Sequence, residues 1–183
     1  MMIYVALLRG INVGGNNKIK MADLKRAFES LELKNVKTYL HSGNIIFQAP
    51  KESKTILALK IEAMIHSVFD LKIPVLIRNQ EEIGIVIETL PENWKNDAIM
   101  KSDVLFLWDG VDQRKLLEQI QPNPAIDTVK LVSGAILWTV SREKLNKSRL
   151  KQIISLPLYK QTTIRNVNTT RKIYELMNNL SES

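Results

Sequence analysis

The chain has 183 residues, is 45% hydrophobic and contains no cysteine. It can bury a core as one domain or two small ones, whereas disulfides, thiolate chemistry and cysteine-based zinc sites are excluded. Its 26 lysines and arginines exceed its 19 acidic residues, and the net charge of +7 favours an anionic partner such as a nucleotide, a phosphorylated metabolite or nucleic acid. The alternative is a basic surface without such a partner.

No apolar run approaches the about 20 residues that a membrane span needs. The first residues also lack the basic segment and cleavage site of a secretory signal. We therefore expect a cytoplasmic protein that does not enter membranes. Positive charge is spread along the chain rather than concentrated, which argues against a nucleic-acid-binding tail.

The first half of the chain predicts the order β-α-β-β-α-β from its apolar periodicity. Its elements are a strand at 3–9, a helix at 21–31, strands at 36–41 and 44–48, a helix from about Ser53 and a strand at 73–78. Ser42-Gly43 between the middle strands suits a tight hairpin turn. Residues 81–90 fit either a strand or a helix, and the capping pair Asn79 and Glu82 favours a helix.

The second half predicts the same order. Its elements are a strand at 104–108, a helix capped by Asp112, strands at 128–132 and 135–140, a helix at 148–156 and a strand at 162–167. A further helix near 170–180 follows, for which Asn168 or Thr169 is the expected cap.

Short segments of the two halves also correspond. Leu8-Arg9-Gly10 matches Trp108-Asp109-Gly110, and Ser42-Gly43 matches Ser133-Gly134. We therefore predict an α+β fold, a tandem repeat of two ferredoxin-like βαββαβ subdomains plus a C-terminal helix. The alternative is a chance similarity of short elements. The expected boundaries are 1–79 for the first subdomain, 80–101 for a connecting helix and linker, and 102–183 for the second.

The strand at 3–9 runs into a glycine-rich loop, Arg9 to Lys18, that precedes the first helix. In a ferredoxin-like unit the first two strands are parallel, so this loop is expected beside the hairpin at 41–44. Backbone N–H groups before a helix and nearby cations can bind an anion. The candidate ligand-binding residues at this edge are Arg9, Gly10, Asn12, Gly14, Gly15, Lys18, His41, Ser42 and Asn44.

Each candidate has a structural alternative. The glycines are also explained by a tight loop, Lys18 by a solvated charge, and Asn12 and Asn44 by turn formation. His41 is a candidate acid or base, since histidine titrates near neutral pH, but a structural hydrogen bond is the alternative. Arg165 and Asn166, near the end of the last strand, are further candidates that would have to reach the first loop.

Other chemistries lack support. The loop has neither the P-loop spacing nor the dinucleotide fingerprint. Two isolated histidines without cysteine give no conventional metal site, and no G-x-S-x-G elbow is present. Residues 44–47 lack the basic and aromatic run with which RNA-binding sheets stack bases, so RNA binding is weakly supported.

Three segments resemble signatures of domain-of-unknown-function family 1697. They are Ala6 to Gly15, Thr38 to Phe47, where the family often has Gln in place of His41, and Thr163 to Thr169, where it usually has Trp in place of Val167. The resemblance implies two ferredoxin-like subdomains in a bacterial cytoplasmic protein. It implies no established activity or cofactor, and the difference at His41 weakens a catalytic role for that residue.

The leading hypothesis is a module that binds a small phosphorylated or nucleotide-like anion at the glycine-rich loop. The alternatives are an enzyme acting on that ligand and a nucleic-acid or protein interaction module. The sequence names no reaction, cofactor or oligomeric state.

Overall fold

A computed structural model describes residues 1–181 as a mixed α+β fold with two four-stranded antiparallel sheets and a C-terminal helix. Residues 1–81 together with 173–181 form the first unit, and residues 82–172 form the second. In the part of the chain that the structure describes, no helix is both long and apolar enough to span a membrane.

The first unit has the predicted order of elements. They are β1 (Met2–Leu8), α1 (Met21–Glu29), β2 (Lys34–Tyr39), β3 (Asn44–Ala49), α2 (Lys54–Phe69) and β4 (Val75–Asn79). The sheet order is β2-β3-β1-β4, and all neighbouring strands are antiparallel. β1 lies between two strands, and its residues from Ile3 to Leu8 are all buried, as the continuous apolar run predicts.

The core of the first unit lies between one sheet face and its two helices. Tyr4 of β1 packs with Phe47 of β3, and Phe28 of α1 meets the same ring edge-on. Helix α2 contributes Leu57, Ile61, Met64 and Ile65 to the buried face.

The second unit continues the chain through the predicted helix α3 (Gln80–Thr89), at whose first turn the boundary falls. Its further elements are β5 (Met100–Leu107), α4 (Gln113–Ile120), β6 (Thr128–Val132), β7 (Ala135–Ser141), α5 (Arg149–Gln152), β8 (Thr162–Asn166) and α6 (Val167–Ser181). The sheet order is β6-β7-β5-β8. The order of elements in this unit therefore matches the prediction, except in the segment between β7 and β8.

The predicted helix at 148–156 is confirmed only in part. Only α5 is α-helical there, with short 3-10 turns at Arg142–Lys147, Ile153–Ser155 and Pro157–Gln161. Pro157 ends the segment, since it disfavours a helical conformation in the preceding residue, and Leu156 is extended with ψ of 143°. Ser148 caps the start, because its hydroxyl donates to the buried Asp127 carboxylate and accepts from the backbone N–H of Leu150 at 3.0 Å.

Helix α6 starts at Val167, three residues earlier than predicted. Asn168 and Thr169 therefore lie inside the helix, and neither is its cap. Instead, Asn166 Oδ1 accepts from the backbone N–H of Thr169 at 2.8 Å, as an N-cap side chain does. The backbone carbonyl of Asn166 also accepts from the Thr170 hydroxyl at 3.0 Å.

The unit boundaries differ from the expected ones because long-range hydrogen bonds hold the linker and the last helix. In the second unit, the Arg171 guanidinium donates to the backbone carbonyls of Trp94 at 2.7 Å and Pro91 at 2.8 Å. In the first unit, Gln48 Nε2 donates to the carbonyl of Leu180 at 3.2 Å. The linker thus belongs to the second unit, and the end of α6 belongs to the first.

Candidate functional site

The loop after β1 and the turn between β2 and β3 lie at the same edge of the first sheet. Asn44 pairs with both Leu7 of β1 and Tyr39 of β2 in the strand register. The backbone N–H of Leu8 donates to the carbonyl of Gly43 at 2.9 Å. The predicted convergence of the two segments is therefore confirmed.

Residues 12–17 form a small projection that we call the glycine hairpin. The N–H of Asn12 donates to the carbonyl of Asn17 at 3.1 Å, and that of Asn16 donates to Val13 at 3.0 Å. Gly14-Gly15 occupies the turn with φ of +58° and +80°, as a two-residue type I′ turn requires. Because a Cβ at either glycine would meet no atom within 4 Å, backbone conformation explains both glycines.

Asn12 ties the glycine hairpin to the turn at His41. Its Oδ1 accepts from the N–H of Ile19 at 2.9 Å. Its Nδ2 donates to the carbonyl of Ile19 at 3.0 Å and to that of His41 at 2.9 Å. Since both amide hydrogens are engaged within the chain, Asn12 positions the two segments instead of offering a donor to a ligand.

Ser42, Gly43 and Asn44 hold the turn between β2 and β3. Asn44 is fully buried, and its Nδ2 donates to the Tyr39 carbonyl at 2.9 Å and to the Ser42 hydroxyl at 3.1 Å. Gly43 has φ of +77°, and a Cβ there would lie 2.7 Å from Leu8 Cβ. The ligand-binding role expected of Asn44 is thus incompatible with its burial, and its observed role is to shape the turn.

A concavity of about 860 Å³ opens beside these segments at the start of α1. Its lining residues are Asn12, Gly15, Lys18, Ile19, Lys20, Met21, Ala22 and His41. Four of them were predicted, namely Asn12, Gly15, Lys18 and His41. The other candidates of this edge, Arg9, Gly10, Gly14, Ser42 and Asn44, are not among the lining residues.

Two lysines line this concavity. Lys18 and Lys20 are both exposed, and so is His41. Lys20 is also the N-cap residue of α1 and makes no side-chain capping bond. The first N–H groups of a helix carry partial positive charge, and Asp23 in the first turn is paired with Arg26. The arrangement is suited to attract an anion.

Four of the lining residues, Ile19 to Ala22, escaped prediction. The sequence did contain a signal for them. The helical pattern begins at Met21, and none of the three residues directly before it, Lys18-Ile19-Lys20, is a good N-cap residue. What the sequence did not show is that the Asn12 carboxamide folds the chain back so that Ile19 pairs with it.

The corresponding edge of the second unit has a different chemistry. There the N–H of Leu107 donates to the carbonyl of Gly134 at 2.9 Å, but no glycine hairpin follows. Asp112 caps α4 by accepting from the N–H groups of Arg114 at 3.0 Å and Lys115 at 3.1 Å. These bonds lower the pKa of the Asp112 carboxyl, and the bond from the Lys115 N–H has the larger effect. At this edge a carboxylate caps the start of the helix, whereas at the first edge the helix starts after a lysine without a side-chain cap.

The two candidates near the end of β8 make hydrogen bonds within the second unit. Arg165 donates to the Thr163 hydroxyl at 3.1 Å and to the Ile164 carbonyl at 2.8 Å. Its burial lowers the pKa of the guanidinium to about 10, so Arg165 stays charged at neutral pH. Asn166 caps α6, and a part for either residue in ligand binding stays a prediction.

Among residues 1–181, no group of three or more His, Asp or Glu side chains is placed to hold a metal ion.

Comparison with known proteins identifies relatives of the chain. Residues 1–138 match the family described as "Protein of unknown function (DUF1697)". The solved structure of the conserved bacterial protein SP0830 from Streptococcus pneumoniae is 30% identical in sequence and superposes with a TM-score of 0.82. The match covers 96% of this chain and 98% of that one. No curated protein matches the sequence. The chain therefore belongs to the DUF1697 family.

Proposed function

We propose that the first unit binds a small anionic ligand, phosphorylated or nucleotide-like, in the concavity beside the glycine hairpin. The observation that carries this proposal is the placement of Lys18, Lys20 and His41 around one concavity at the start of α1. Its volume of about 860 Å³ lies in the range of roughly 300–1,000 Å³ that is typical of small-molecule sites.

Charge and local order both support this proposal. The exposed lysines supply positive charge, and the start of α1 adds fixed partial positive charge, since its N-cap residue Lys20 makes no side-chain capping bond. Because Asn12 bonds to both Ile19 and His41, the two sides of the concavity are held together before a ligand arrives. Such preorganisation lowers the entropic cost of binding.

The test measures the thermal stability of the protein against a panel of inorganic phosphate, AMP and sugar phosphates. A ligand that binds the folded state alone raises the melting temperature. We expect at least one anion to do so in the wild type, and the double variant Lys18→Ala/Lys20→Ala to lose that rise. Lys34→Ala/Lys37→Ala is the matched control, since it removes two exposed lysines from β2 of the same unit.

Two outcomes would count against the site. One is an undiminished rise in the K18A/K20A variant, which would place the ligand elsewhere. The other is an equal loss in the K34A/K37A control, which would mean that overall charge and not this concavity attracts the anion.

A second candidate function is catalysis on the bound ligand, with His41 as acid or base. The observation that favours it is the exposed position of His41 on the wall of the concavity. Turnover of the identified ligand would separate an enzyme from a binding module. His41→Ala activity equal to that of the wild type would remove the histidine from the chemistry.

We also infer that each unit is one ferredoxin-like βαββαβ repeat. The two sheets share one strand order, and Leu8 bonds to Gly43 as Leu107 bonds to Gly134. These hydrogen bonds make Leu8 equivalent to Leu107, whereas the matching sequence segments align Leu8 with Trp108, one residue later. The short helical turns of the second unit stand where a second helix is expected.

Buried arginines support the duplication. Arg78 pairs with Val5 in the first sheet, and Arg165 pairs with Val104 in the second, at equivalent positions. Each guanidinium donates to the carbonyl of the residue before it, at 2.9 Å for Arg78 and 2.8 Å for Arg165. Retention of a costly buried charge at one position of both units is consistent with descent from a single repeat.

A further inference from the structure

We propose that the ligand is an organic anion in which a flat apolar group lies next to the charged one, such as an aryl phosphate or a nucleotide. This inference rests on the proposed function, because it names the class of molecule that the same concavity binds. The lysines account for the charged group of the ligand, and the inference adds the apolar group.

The wall between the cations is largely apolar. Ile19 is only 5% exposed, the half-buried Met21 begins α1, and the exposed Ala22 follows it. Asn12 also lines the concavity, but its amide hydrogens are taken by the carbonyls of Ile19 and His41. An inorganic ion would leave this apolar wall in contact with water, whereas an apolar group would cover it.

The size of the concavity agrees with a ligand larger than a single anion. A single phosphate-sized group fills only a fraction of about 860 Å³. The remaining space adjoins Met21, whose unbranched thioether side chain adapts to flat and irregular surfaces. A ligand of nucleotide size therefore fits both the charge and the volume.

Two exposed apolar residues next to the lining residues give independent support. Val13, which follows Asn12, is 61% exposed, and Leu40, which precedes His41, is 50% exposed. Leu40 also has φ of +57°, a conformation that is strained for a bulky side chain. Leu40 lies in the turn between β2 and β3, which leaves half of its apolar surface exposed beside His41.

The experiment compares the affinities of phenyl phosphate and inorganic phosphate by isothermal titration calorimetry. We expect phenyl phosphate to bind the wild type at least tenfold more tightly. Met21→Gln should reduce that preference, measured as the ratio of the two affinities, severalfold. Leu59→Gln, at a 59% exposed leucine of α2, is the matched control and should retain the full preference.

Ala22→Gln serves as a second variant in case Met21→Gln does not fold, since Ala22 is exposed and glutamine is a good helix former. It should lower phenyl phosphate affinity by adding a polar side chain to the wall.

Equal affinities for the two phosphates in the wild type would overturn this inference and leave anion binding intact. Phenyl phosphate binding that K18A/K20A does not weaken would show an apolar patch without an anion site and would overturn both proposals. A preference that survives both Met21→Gln and Ala22→Gln would also overturn this inference, because the apolar contact would then lie outside this wall.

Discussion

The side-chain amide of Asn12 donates a hydrogen bond to the backbone carbonyl of His41 over 2.9 Å, across a separation of 29 residues. The same side chain forms two bonds with the backbone of Ile19. A single carboxamide thus ties the start of the glycine hairpin to Ile19, just beyond its end, and joins the hairpin to the neighbouring turn. The concavity depends on this residue, although Asn12 has no amide hydrogen left for a ligand.

Asn12→Asp tests that dependence. The carboxylate keeps the acceptor for Ile19 N–H and tolerates the φ of +53°, but it loses both donor bonds and faces two carbonyl oxygens. At about 1 kcal/mol for each bond, we expect a loss of about 2 kcal/mol or more in the free energy of unfolding. Urea denaturation measures it.

Asn17→Asp is the matched control for this substitution. Asn17 also has a positive φ, of 48°, and its Nδ2 donates one bond, to the carbonyl of Gly10 at 2.9 Å. We expect a loss of about 1 kcal/mol. A loss for Asn12→Asp no larger than that for Asn17→Asp would contradict the central role of Asn12.

Gly43→Ala should destabilise the protein far more than Gly14→Ala. Both glycines have positive φ, so alanine is strained by about 1 kcal/mol at either position. At Gly43 the new Cβ would also lie 2.7 Å from Leu8 Cβ, whereas at Gly14 it would meet nothing within 4 Å. Overpacking adds about 1–3 kcal/mol, so equal losses for the two variants in urea denaturation would refute the close approach of β1 to the turn.

Asp112→Ala should lower the melting temperature, because α4 loses the side chain that accepts two backbone N–H bonds. Asp112→Asn keeps the acceptor oxygen and should lower it less. These bonds lower the pKa of Asp112 in the folded state. The contribution of Asp112 to the stability of the fold is therefore present above the pKa of the unfolded state, near 3.8, and is lost as the pH falls through the folded pKa. The difference between wild type and alanine variant should therefore shrink in acid, which scanning calorimetry at several pH values measures.

Asp103 should show the opposite dependence on pH. Burial raises the pKa of its carboxyl above 3.8, although Lys101, at 2.8 Å, opposes the change. At pH values between the two pKa values the folded state binds more protons than the unfolded state. The contribution of Asp103 to the stability of the fold is therefore present at low pH and lost as the pH rises through the folded pKa. Relative to Asp103→Asn, the wild type should lose stability as the pH rises above about 3.8. Denaturation curves with parallel pH profiles would contradict this expectation.

Local patterns in the sequence were sufficient for most of the fold. The order of strands and helices, the turn at Ser42-Gly43 and the cap at Asp112 all depend on residues close together in the chain, so periodicity and turn chemistry reveal them. The convergence of the loop and the hairpin followed from strand order alone. These features required no knowledge of side-chain packing.

Distant contacts were responsible for the rest. The burial of Asn44 and the return of the end of α6 to the first unit each involve partners far away in sequence. The apolar wall at Ile19 to Ala22 likewise exists because Asn12 folds the chain back upon itself. Periodicity records which side chains are apolar but not which surfaces meet, and so the shape of the candidate site emerged only once the chain was folded.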